Sequence, residues 1–107
     1  MRTITVEKNA ATLIGFAIKA RQCVRGFEAV RRAVEKNKVA IVLVNNQISQ
    51  NSLRKVSHFL LRQNVPVIQT SGKTNWDDLW GVRGQKIIGI KKGNIGNTII
   101  QKFKSGV

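Results

Sequence analysis

The chain has 107 residues, 42% of them hydrophobic, which suits one domain around one core and argues against disorder. Nineteen lysines and arginines stand against five acidic residues, a formal net charge of +14. Such an excess opposes compaction by self-repulsion and exceeds the magnitude of about 2 to 8 that solubility needs, so it points to a polyanionic partner.

Helix and strand signals alternate along the chain. Asn9 reads as the cap of a helix in which Leu13, Ile14, Ala17 and Ile18 recur at helical spacing as far as Arg21. The short segment Gln22 to Arg25 leads to Gly26 and can add a short strand. From Gly26, Phe27, Val30 and Val34 form the inward stripe of a second helix that runs to Asn37. KVAIVLV, residues 38 to 44, is a strand buried on both faces. Ser49 caps a third helix, with Leu53, Val56 and Leu60 facing inward, Arg54, His58 and Arg62 facing outward, and Asn64 at its end.

VPVIQT, residues 65 to 70, is the next strand, with Pro66 placed where a missing N–H is tolerated. The turn SGKTN precedes a short helix, WDDLW, whose Asp77 and Asp78 suit its positive end. KIIGIK, residues 86 to 91, is a further strand. The turn KKGNIGN follows it, and a last helix over Thr98 to Lys104 carries the stripe Ile99, Ile100 and Phe103. Strands separated by helices imply crossovers and a covered sheet, hence a three-layer α/β/α sandwich in a single domain over residues 1–107.

The inventory for catalysis is thin. His58, the only histidine, falls on an outward helical face between two arginines and reads as a solvated side chain. Cys23, the only cysteine, excludes a disulfide framework or a cysteine-pair metal site. Arg21 and Arg25 could activate it as a nucleophile, though a small packing residue is the simpler account. Asp77 and Asp78 are adjacent and so do not share a helical face, and neither GVRG nor GNIG has the context of a phosphate loop. The expectation is therefore a protein that is not an enzyme and uses no cofactor, metal or small-molecule substrate. With no stretch near the roughly 20 apolar residues of a spanning helix and none resembling a signal peptide, the expected compartment is the cytoplasm and no membrane partner is expected.

Basic residues gather around Gly26: Lys19, Arg21 and Arg25 on one side, Arg31 and Arg32 on the other. A helix N-terminus there offers unpaired backbone N–H groups to a phosphate, and a glycine lets a nucleic-acid backbone approach. The alternative for these arginines is a set of surface pairs, Glu28 with Arg32 and Arg31 with Glu35.

LIGFAIKARQCVRGFEAVRRAV, followed by KVAIVLVNNQISQNSLRKV, resembles the kink-turn-binding ribosomal protein superfamily of the L-seven-Ae and L-thirty-e type. Within it, the chain is most similar to the small bacterial branch. The resemblance runs from about Leu13 to Gly93. It implies an L-thirty-e-like sandwich with a mixed, about four-stranded sheet, which grips a sharply kinked RNA through two neighbouring regions. In the first, the family pattern is G-x-N-E-x-x-K. Gly26 matches its glycine and Arg32 replaces its lysine, while Glu28 and Ala29 stand at the Asn-Glu positions. Arg32 keeps the means to position a phosphate; Glu28 offers base edges only acceptors, and Ala29 offers nothing.

The second region is the loop before the last strand, where the family shows Leu-Gly-x-Ala-x-Gly. The equivalent stretch here, LWGVRGQKI at residues 79 to 87, is a few residues shorter. Within it Trp80 is a candidate for stacking on an unpaired base, or for packing beside Trp76, and Arg83 is the charged contact. Asn46 matches a polar family position near the same face. The resemblance thus implies an RNA-binding set of Arg25, Gly26, Phe27, Glu28, Arg31, Arg32, Asn46, Trp80, Gly81, Val82 and Arg83. The partner would be structured ribosomal or other noncoding RNA, with the ribosome as a possible setting. The competing expectation is a protein-interaction or assembly module that docks on a ribonucleoprotein through its basic surface.

Overall fold

A computed structural model describes residues 2–60 and 63–105. The elements run in the order β1 (Arg2–Ile4), α1 (Lys8–Lys19), β2 (Cys23–Arg25), α2 (Phe27–Glu35), β3 (Val39–Val44), α3 (Gln50–Leu60), β4 (Val67–Thr70), α4 (Trp76–Trp80), β5 (Ile87–Lys91) and α5 (Asn94–Ser105). All six residues of β3 are buried, as its unbroken β-branched and aliphatic run requires of a strand covered on both faces. It lies at the centre of a sheet ordered β1-β4-β3-β5-β2. β4 runs parallel to both β1 and β3, whereas β5 is antiparallel to β3 and β2, so the sheet is mixed.

Alternation along the strands sends side chains into two cores. Ile41 and Leu43 of β3 and Ile88 and Ile90 of β5 meet Ile14 and Ala17 of α1 and Ile99 and Phe103 of α5. On the other face, Val42, Val44 and Ile87 meet Val30 and Val34 of α2 and Val56 of α3. Val39 belongs to this second core although it is two residues from Ile41, because the pairing of β3 with β5 is irregular between them. The result is the expected three-layer α/β/α sandwich, with β2, β3, β4 and β5 as the foreseen strands and β1 as an edge strand beyond them.

Several boundaries differ from the sequence expectation. The N-cap of α1 is Glu7, with no side-chain cap bond, and Asn9 falls inside the first turn. Ser49 does cap α3, its Oγ accepting the Ser52 N–H at 3.1 Å. Arg62 lies outside the described residues. Pro66 stands just ahead of β4, where its carbonyl accepts the Val42 N–H at 2.9 Å and its missing donor costs nothing. α5 begins at Asn94, four residues early, because Gly96 is a contact residue and not a turn residue. A Cβ at Gly96 would stand 2.5 Å from the Lys91 carbonyl oxygen and 3.2 Å from Ala40 Cβ, so glycine is what allows the helix to seat there.

Candidate functional site

Gly26 joins the two regions that are separate in sequence. It caps α2 with φ 91° and ψ 156°, and its carbonyl accepts the Val30 N–H at 3.0 Å as the first bond of the helix. Its own N–H donates to the Ile87 carbonyl at 2.9 Å, which ties the start of α2 to the start of β5. A Cβ there would lie 2.9 Å from Gln85 Oε1, so the Gln85 side chain rests directly against the glycine. The N-terminal turn of α2 and the loop from Gly81 to Lys86 are therefore side by side.

That loop is fixed at both ends. Gly81 closes α4 in the left-handed region, and its N–H donates to the Asp77 carbonyl at 2.9 Å. Val82 is buried, with its N–H donating to the Trp76 carbonyl at 3.2 Å, while the Lys86 carbonyl accepts from the Asn45 N–H at 2.8 Å. Between the loop, the exit of β3 and the β4–α4 connection lies a cleft of about 290 Å³, whose walls include Asn46, Gln47, Asn75, Arg83, Gln85 and Lys86. The amides bring both donors and acceptors to one place. Asn75 Oδ1 is already engaged as the N-cap of α4, accepting the Asp78 N–H at 3.0 Å, whereas Asn46 and Gln85 are exposed.

The arginines are not equivalent. Arg31 donates to Glu28 at 2.7 Å and to Glu35 at 2.9 Å, occupying both carboxylates. The hydrogen bond from Arg31 holds the Glu28 carboxyl below its ordinary range, helped by the charges of Arg31, Arg32 and Lys55. The expected Glu28–Arg32 pair is absent; Arg32 Nε reaches only the Glu28 backbone oxygen, at 3.4 Å. Arg25 and Arg32 are exposed and take part in no ion pair among the described residues. Arg83 is paired with Asp77 at 2.7 Å, and its side chain remains 82% exposed.

Three expected site residues are core or packing residues. Trp80 is buried and donates Nε1–H to the Ala11 carbonyl at 2.9 Å, which anchors α4 on α1 and leaves little of its ring at the surface. Val82 is buried in the same core. Phe27 is half-buried and meets Phe59 edge to face, with ring centroids 5.4 Å apart. Of the remaining members, Arg25 ends β2, Gly26, Glu28, Arg31 and Arg32 belong to α2 and its cap, Asn46 and Arg83 line the cleft, and Gly81 caps α4.

Cys23 is no activated nucleophile. Burial pushes its thiol up to about 11, outweighing the opposite pull of Arg25 and Lys91. Among the described residues, no group of three or more His, Cys, Asp or Glu could hold a metal ion, and no helix is long and apolar enough to cross a membrane. Sequence reading missed Gln47, Gln85 and Lys86. For Gln47 the available signal was the density of amides in NNQ just after β3; Gln85 and Lys86 carry no comparable local signal.

No sequence-family model matches the chain, and no curated protein matches it. Solved structures do. A protein of unknown function from Bacillus halodurans C is 21% identical, with a TM-score of 0.79 over 92% of this chain and 99% of the other. The Giardia lamblia 15.5kD RNA binding protein is 13% identical, with a TM-score of 0.73 over 96% of this chain and 94% of the other. At these identities the likeness shows the fold, a three-layer sandwich consistent with the L-thirty-e-like architecture that the sequence resemblance implies.

Proposed function

We propose that this chain is a non-enzymatic, cytoplasmic RNA-binding protein that recognises structured, kink-turn-like ribosomal or other noncoding RNA, in association with the ribosome. The observation that carries this reading is the junction at Gly26, which sets a basic helix N-terminus beside an amide-lined cleft. Arg25 and Arg32, with the free N–H groups of the first turn of α2, hold phosphates. Glu28, kept ionised and oriented by Arg31, accepts from base amino groups. An unstacked base enters the cleft among Asn46, Gln85 and Arg83, under the loop of Gly81 and Val82. The RNA-binding Giardia neighbour and the net charge support the same reading.

Fluorescence anisotropy with a kink-turn duplex, and with the same stems joined without the kink, tests it at about 0.15 M salt. The kinked RNA is expected to bind at least about tenfold tighter, and Arg32→Glu to weaken it by at least about tenfold. Equal affinity for both RNAs would rule out kink recognition. No binding to either would rule out the RNA reading itself.

A further inference from the structure

A second surface lies on the flank of α2, away from the amide cleft. Between α2 and α3 runs a groove of about 430 Å³, predominantly apolar, whose floor is the Phe27–Phe59 pair. Its rim carries Arg31, Arg54, Lys55 and His58. The last three are exposed on the outer face of α3, and no ion pair among the described residues involves them. The nearby carboxylates of Glu28 and Glu35 are both held by Arg31, and with Arg54 and Lys55 the three cations outnumber those two carboxylates, so the rim stays net positive around an apolar floor.

The chemistry of that combination selects its occupant. A nucleobase can stack on a phenyl face, but its ring nitrogens and exocyclic groups find no hydrogen-bond partner on a predominantly apolar floor; RNA is the competing occupant, which displacement of a bound peptide would reveal. A second copy of a chain carrying +14 would be repelled by the same rim. An aromatic or aliphatic side chain flanked by carboxylates satisfies both features, burying apolar area on the floor and meeting the cations at the edge. We propose that the α2–α3 groove docks an acidic peptide segment of a protein partner, its apolar anchor on Phe27 and Phe59 and its carboxylates on Arg54 and Lys55. The groove shares Phe27 and Arg31 with the proposed RNA face, while Arg54, Lys55, His58 and Phe59 lie on α3 outside it, so one molecule can hold RNA and peptide together.

The probe is a short capped peptide with a central Leu-Phe pair between runs of Asp and Glu, followed by anisotropy and by amide chemical shifts of the full chain. The expected result is saturable binding, with shifts concentrated at Phe27, Arg31 and residues 54–59. Reversing both charges, Arg54→Glu with Lys55→Glu, is expected to weaken the peptide by at least about tenfold and to leave kink-turn RNA affinity within about threefold. Replacing the Leu-Phe pair by Gly-Gly is expected to cost at least about tenfold. Both substituted positions are exposed, so a melting temperature no lower than that of the unaltered chain separates lost docking from lost folding. Absent binding, equal binding by the double variant or by the Gly-Gly peptide, or displacement of the peptide by RNA would each overturn the proposal. Because the peptide assay contains no RNA in its first arm, failure of the RNA reading leaves its result standing.

Discussion

At φ 91° and ψ 156°, Gly26 occupies a backbone region that is essentially closed to residues with a Cβ. Gly26→Ala is expected to lower stability by about 1–3 kcal/mol, read as a fall in the urea midpoint. Adding Gln85→Ala should recover little of it, since the Gln85 amide can swing away and the backbone strain cannot. A second residue-scale prediction concerns alkali. The Cys23 thiol is raised from its ordinary 9.0 to about 11, so the folded chain keeps a proton that the unfolded chain gives up, and stability falls as pH climbs through that interval. Cys23→Ala should remove this part of the alkaline loss, seen by comparing unfolding midpoints at about pH 8 and about pH 10.5. Residue roles of this kind were only half legible in the sequence. Glu28 stands within helical reach of both Arg31 and Arg32, and only side-chain rotamers decide that Arg31 takes it. Trp80 beside a glycine loop suits packing more than stacking on sequence alone, and its N–H on the Ala11 carbonyl fixes it as a packed anchor.

Two helices end in the same way. At α1, Gln22 N–H donates to the Ala17 carbonyl and Arg21 N–H to Ile18; at α2, Lys38 donates to Ala33 and Asn37 to Val34. Both are Schellman closures, whose pivot residue takes positive φ: 59° at Arg21 and 60° at Asn37. Asparagine occupies that region at lower cost than arginine, so Arg21→Gly should stabilise the fold by up to about 1 kcal/mol and Asn37→Gly by less. Thermal melts of the two variants check the order. The element pattern explains what sequence could and could not reveal. β3 is an unbroken aliphatic run, β5 is isoleucine-rich with one glycine and a terminal lysine, and α2 and α3 carry their stripes at helical spacing, so each announces itself locally. β1 has only three residues and is defined by pairing with β4, more than sixty positions away, which no local pattern encodes. The early start of α5 was hidden for a related reason, because Gly96 has the composition of a turn and the role of a close contact with β3 and β5.

Across the whole molecule, three of the five acidic residues, Glu28, Glu35 and Asp77, are spent on two arginines, and most of the nineteen cations have no carboxylate left to meet. The folded chain therefore gathers like charges that the unfolded chain holds further apart. Salt should act with opposite signs on folding and on the proposed binding. Raising ionic strength from about 0.01 to about 0.15 M shortens the screening length from about 30 to about 8 Å, and the melting temperature of the free protein should rise. RNA affinity should fall over the same range, with a log-log slope of roughly −2 to −3 if about three phosphates are neutralised. Arg32→Glu joins the two effects, since it lowers the net charge by two. It should raise the low-salt melting temperature while flattening the binding slope by about one. A variant that flattens neither dependence would show that Arg32 meets no phosphate and that the charge excess has some other use.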